Sequence, residues 1–153
     1  MALLGRIVVT IFAVIVASFA AGMAIALGLL SPQWHVVTGD PAERFIFWGT
    51  AFFGATATGA IGLLPLVIAI ALGESLKIRS LLANTLAGVA MMVLGYYGSG
   101  LAQPSYQESI DHPPPPISRA AEIAAAAGAM FGFVYWTIAG RNAGRWREST
   151  HAL

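Results

Sequence analysis

Four long apolar stretches, separated by short polar breaks, set the pattern of this chain. Ile7 to Leu30 runs for about 24 residues without a charge, enough for roughly 36 Å of helix at ~1.5 Å per residue. Phe45 to Leu72, Leu81 to about Ala102 and Arg119 to Ala139 repeat the theme. The polar breaks are a loop over 31–44, a charged hinge over 73–80, a second loop over 103–118 and a tail over 140–153. The pattern predicts an all-α membrane protein. It forms a single integral membrane domain over 1–153, with four transmembrane helices in an antiparallel up-down bundle.

Each break carries its own punctuation. Gly39-Asp40-Pro41 is turn chemistry, with Pro41 opening the short approach to the next helix. Ser118 is placed to cap the fourth helix, with Glu122 in its first turn, where a negative charge suits the positive helix end. Four consecutive prolines, Pro113 to Pro116, form a polyproline strut leading into that helix. In the hinge, Glu74 stands three residues before Lys77, a spacing that allows a helical ion pair. The second stretch is longer than one crossing needs, so tilt or a kink at Pro65 must absorb the excess. Trp34, Phe45, Phe47 and Trp48 cluster at one boundary, and Tyr135-Trp136 marks another, as aromatic rings do at the headgroup level. Ser18-Phe19-Ala20 has the look of a signal-peptide cleavage site, but the apolar run continues about ten residues beyond it, past the usual ~7–15.

Composition strengthens the membrane reading. Of 153 residues, 58% are hydrophobic and 10% charged, against about 25% charged in ordinary soluble domains. A net charge of +1 gives no basis for a nucleic-acid partner. The distribution of charge is more telling. Arg6, Lys77, Arg79, Arg141, Arg145 and Arg147 fall on one side of the predicted topology, Arg44 and Arg119 on the other. With short loops, that asymmetry places both termini and the hinge in the cytoplasm, and predicts a multi-pass protein of a bacterial inner membrane.

Candidate chemistry is sparse. There is no cysteine, which removes disulfides, thiolate nucleophiles and sulfur ligation. His35, His112 and His151 lie outside the apolar stretches, so no pair of intramembrane histidines is available for haem. Glu108, Asp111 and His112 share a loop but make a poor metal set. No phosphate loop, GxSxG elbow, HExxH or dinucleotide fingerprint occurs. What stands out is small-residue spacing. Gly54, Thr58 and Gly62 recur at every fourth position, as do Ala124, Gly128 and Gly132. Such stripes let two helix backbones approach closely, within the chain or on a partner. Four polar groups remain as functional candidates: Glu122, Asn84 and the Tyr96-Tyr97 pair. Asn84 is the most polar uncharged group in any span, suited to hydrogen bonding across a helix interface.

With Glu74-Ser75-Leu76-Lys77-Ile78-Arg79-Ser80 at the hinge and Tyr135-Trp136-Thr137-Ile138-Ala139-Gly140-Arg141 closing the last span, the chain resembles the small four-span inner-membrane proteins of bacteria, a likeness over all four spans that rests on no catalytic motif. Small multidrug transporters share the helix count but rely on a carboxylate in the first span, which is missing here. The charged helix motifs of the four-span glutathione-transferase-like membrane enzymes are also missing. The resulting expectation is a non-enzymatic accessory or scaffolding protein that packs with itself or a larger membrane complex through its small-residue faces, in contact with membrane lipids. The alternative is a small oligomeric transporter or a lipid- or quinone-handling protein that uses Glu122 and Asn84. No cofactor is predicted, while contact with a lipid, quinone or pigment stays open.

Overall fold

A computed structural model describes residues 3–30, 40–99 and 117–144. Among them the chain forms four α-helices and no strand: α1 (Leu3–Leu30), α2 (Pro41–Ser75), α3 (Leu81–Gly98) and α4 (Arg119–Ile138). A single 3-10 turn over Gly140–Asn142 follows α4. The helix starts follow from local side-chain chemistry. Asp40 accepts a hydrogen bond from the Ala42 amide at 2.9 Å with Pro41 as the first helical residue. Ser80 and Ser118 accept from the Ala83 and Ala121 amides, at 3.4 and 3.2 Å. Each cap satisfies one of the orphan donors at a helix N-terminus.

Three helices are long and apolar enough to cross a membrane: α1, α3 and α4. A fourth is added if the two arms of α2, Pro41–Ala60 and Pro65–Ser75, count as one span. The arms meet at 67°. The bend falls where Pro65 removes a backbone donor and its ring crowds the carbonyl four residues earlier. The hinge is shorter than the sequence implies, because α2 continues through Gly73, Glu74 and Ser75. The tight turn that remains places Lys77 at φ 53°.

Close helix approach at small residues holds the bundle together. On α1, Ala13, Ala17 and Ala21 are fully buried and pack with Ala127, Phe131 and Tyr135 of α4 and with Ala139 just past it. A second α1 stripe, including Gly22 and Ala26, faces α2. A Cβ on Gly22 would collide with the Ala51 carbonyl and lie 2.6 Å from the Ala55 amide nitrogen. The α3–α4 seam is equally close. Gly88 lies against the Gly128 carbonyl and the Gly132 amide, and Gly132 against Asn84 and Thr85 backbone. By contrast, α2 and α3 touch sparsely. Without a hydrophobic driving force between helices in lipid, this close approach is what dispersion and weak polar contacts require.

The aromatic cluster at the start of α2 divides in a way the sequence does not anticipate. Phe45 is 80% exposed and Trp48 45%, whereas Phe47 is 2% exposed and packs with Ala26 and Ala51. Phe47 is a core residue, while Phe45 and Trp48 face outward. Trp34 lies outside the described residues.

Candidate functional site

Two features of the interior go beyond simple packing: a buried ion pair at one end of the bundle and a cavity toward the other. The ion pair joins helices far apart in sequence. Arg6, 6% exposed near the start of α1, donates from Nε to Glu74 Oε1 at 2.8 Å and makes a second, shorter contact from its terminal nitrogen. That terminal nitrogen also donates to the Ala139 carbonyl at 2.8 Å, just past α4. Glu74 Oε2 accepts from the Gly144 amide at 2.8 Å. Gly144 has φ +73°, and a Cβ there would lie 2.7 Å from Lys77 Cγ, so glycine alone fits this turn. Around it, Arg79 Nε donates to the Ala143 carbonyl at 2.9 Å and Trp136 Nε1 to the Arg79 carbonyl at 2.8 Å. The spacing in sequence allows a weak Glu74–Lys77 pair; in the structure Arg6, 68 positions away, binds the Glu74 carboxylate.

Above the ion pair is a small cavity of about 50 Å³ that reaches Glu74, Asn84, Tyr135 and Gly140. Leu66, Gly88, Met91 and Phe131 form its ceiling and at the same time the floor of a much larger cavity. The larger space, about 520 Å³, is bounded by all four helices: Ile25 and Leu29 of α1, Ala57 and Thr58 of α2, Met92 and Tyr96 of α3, Ile123 and Ala124 of α4. That volume lies within the ~300–1,000 Å³ typical of small-molecule sites. Pro65 and Leu66, beside the α2 bend, are part of its lining.

The walls of the larger cavity are almost wholly apolar. Of its hydroxyls, Thr58 Oγ1 donates to its own helix at Gly54 (2.7 Å), and Ser99 Oγ to Tyr96 (3.0 Å). The Tyr96 hydroxyl has no hydrogen-bond partner among the described residues. Such a surface favours an apolar body with one polar end and offers no nucleophile, base or metal set. Among the described residues no group of three metal-ligating side chains occurs.

The candidates named from sequence therefore separate. Gly54 packs on Gly22 and Ile25 of α1, while Gly128 and Gly132 pack on α3. Both stripes are used within the chain. Thr58 and Ala124 line the large cavity. Gly62 sits in the α2 bend, where the side-chain surroundings lie outside the described residues. Asn84 is not a hydrogen bond across a seam: its Nδ2 donates to the Ser80 carbonyl of its own helix at 2.8 Å, and only packing ties it to Gly132 and Gly140. Glu122 is exposed in the first turn of α4 and lines neither cavity. Asn84 and Glu122 thus belong to opposite ends of the bundle and form no common site. Tyr96 and Tyr97 meet edge to face with centroids 5.2 Å apart, Tyr96 toward the large cavity and Tyr97 55% exposed. Glu108, Asp111, His35, His112 and His151 lie outside the described residues.

Sequence reasoning missed Arg6, Glu74 and Gly88. Arg6 is the lone charge at the edge of an otherwise apolar helix, and a lone charge there needs a partner. Gly88 has Asn84 one turn earlier, a small-polar register that matches the α4 stripe. Compared with known protein families, with curated proteins and with solved structures, the chain finds no match in any of the three.

Proposed function

We propose that this chain is a non-enzymatic protein of the bacterial inner membrane that crosses the bilayer four times, with both termini in the cytoplasm. We further propose that it holds a membrane-soluble amphiphile, a lipid or a quinone, between its helices. The observation that carries this reading is the cavity of about 520 Å³ bounded by all four helices. An apolar space of this size inside a bundle that sits in lipid is filled from the bilayer, since water gains nothing there. We favour this reading over the first expectation from sequence, an accessory or scaffolding protein, because Gly54, Gly128 and Gly132 face other helices of the same chain.

The topology draws on where the described charges lie. Arg6, Glu74, Lys77, Arg79 and Arg141 belong to one end of the bundle, where α1 begins, α2 and α4 end and α3 begins. Arg44 and Arg119 belong to the other. Such a division supports the cationic end as cytoplasmic. The natural absence of cysteine makes the test simple. Ser75→Cys should react with a membrane-impermeant maleimide only from the cytoplasmic side, and Ser99→Cys only from outside. Labelling of both from one side overturns the topology.

The function is tested by mild detergent extraction of the full chain, solvent extraction of the purified protein and mass analysis of what is released. The expected result is about one amphiphile per chain. Ala57→Phe, which fills the cavity from its half-buried wall, should lose it while retaining the wild-type elution profile. A wild-type protein that carries nothing, or an Ala57→Phe protein that carries as much, overturns the reading.

A further inference from the structure

We infer that the small cavity above the ion pair is a water site, in which ordered water bridges the Tyr135 hydroxyl, Asn84 Oδ1 and the Glu74 carboxylate. This inference stands apart from the amphiphile-binding reading and does not depend on what fills the larger cavity.

Three unfilled hydrogen-bonding positions converge there. Tyr135 is 9% exposed and lines the cavity, its ring stacked parallel to Phe131 with centroids 6.4 Å apart. It stands within electrostatic reach of both Arg6 and Glu74. Its hydroxyl has no hydrogen-bond partner among the described residues, although a tyrosine buried to this degree normally finds one. Asn84 donates from Nδ2 to the Ser80 carbonyl, while its Oδ1, beside Gly140 on the cavity wall, accepts from no described group. Among the described residues no unpaired polar side-chain atom is sealed in by protein, so both oxygens border open space. Glu74 accepts twice at Oε1 and once at Oε2, which leaves a lone pair on Oε2. Asn84 Oδ1 and Glu74 Oε2 can only accept, and a water supplies two donors. The Tyr135 hydroxyl donates to the water oxygen, which completes the three bonds typical of a buried water.

Size and charge select the ligand. The volume of about 50 Å³ exceeds the ~10–15 Å³ that one water requires, so a pair in series also fits, and it falls far below the ~300 Å³ of the smallest ordinary ligand pockets. Arg6 already neutralises Glu74, so the carboxylate offers little to a metal ion. The remaining walls, such as Leu66, Ile70 and Phe131, are apolar and alone would leave the space dry. The three polar groups reverse that balance. In the larger cavity Thr58 and Ser99 donate to their own helices, and nothing comparable converges. Water also completes the polar cluster at this end of the bundle. Among the described residues no α3 side chain bonds directly to the Arg6–Glu74 cluster; through Asn84 the water joins α3 to Glu74 of α2 and Tyr135 of α4.

The test joins a double-mutant cycle to infrared spectroscopy, both on the full chain in mixed micelles. In SDS titration Tyr135→Phe should raise the unfolding equilibrium constant about fivefold, the size of one hydrogen bond. In the Asn84→Leu background, where the bridge is already broken, the same change should cost no more than about twofold. The cycle cancels the separate loss of the Asn84 bond to Ser80. If the hydroxyl is simply unpaired, Tyr135→Phe leaves stability unchanged or improves it, which overturns the inference. An equal cost in both backgrounds overturns the bridge to Asn84. Infrared difference spectra between ordinary water and water of the heavy oxygen isotope give a second reading that needs no Asn84 variant. Wild type should show a sharp bound-water stretching band that shifts with the isotope, and Tyr135→Phe should lose it. A wild-type protein without that band, or a band unchanged in Tyr135→Phe, overturns the site.

Discussion

The two ends of the bundle are built on opposite principles. At the end where α1 begins, one carboxylate binds two donors of Arg6 and the Gly144 amide, and Arg6 in turn holds the Ala139 carbonyl. Three segments distant in sequence are tied by directional bonds. Toward the other end the described residues hold no such ion pair: Gly22 and Ala26 pack on Ala51 and Phe47, Gly28 on Ile123, and a cavity lies between the helices. Hydrogen bonds between helix ends fix their separation; apolar contacts set only a minimum distance. A bundle pinned by polar bonds at one end and held by apolar packing around a cavity at the other can admit a ligand without losing its fold.

The sharpest way to break this comparison is to remove the pin. Arg6→Ala leaves the Glu74 carboxylate, in a side chain only 16% exposed, without its cation. Stranding one partner of a buried pair typically costs about 3–5 kcal/mol. We expect a loss of that order in unfolding by SDS titration in mixed micelles. Arg6→Met combined with Glu74→Leu should recover most of it, because the pair then leaves no unmatched charge. A double variant as unstable as Arg6→Ala would mean that shape, and not charge, fastens this end.

A second, smaller effect separates seam from surface. Gly88→Ala drives a methyl group into the Gly128 carbonyl, and overpacking of this kind costs about 1–3 kcal/mol. Gly59→Ala meets nothing within 4 Å and should gain up to about 1 kcal/mol from helix propensity. The two substitutions are chemically identical and should differ in sign in the same SDS titration. If both stabilise, α3 and α4 do not approach as closely as the fold requires.

The contrast also explains what was legible in the sequence. Helix positions, the Ser118 cap, the Pro65 bend and the close packing at Gly54, Gly128 and Gly132 all follow from local composition and short-period spacing. These signals act within a few residues of where they are read. The Arg6–Glu74 pair does not, since nothing in the hinge says which distant cation will arrive, and spacing alone allows the nearer Lys77. The cavity was equally hidden. It is an absence of side chains among four helices, bordered by the bend in one of them, and no single stretch encodes it. Asn84 and Glu122 drew attention because they are polar in apolar surroundings. One spends its amide on its own first turn and the other faces out.

Glu122 supplies the smallest expected effect and the finest test of how the open end works. It lies in the first turn of α4, exposed, where a carboxylate near the positive helix end is worth about 0.3–1 kcal/mol. Glu122→Gln should therefore cost a few tenths of a kcal/mol, a small fraction of the Arg6→Ala loss. The loss should show in the same SDS titration as the Arg6 and glycine variants. A loss as large as that of Arg6→Ala would mean that this exposed carboxylate is as firmly partnered as the one at the closed end.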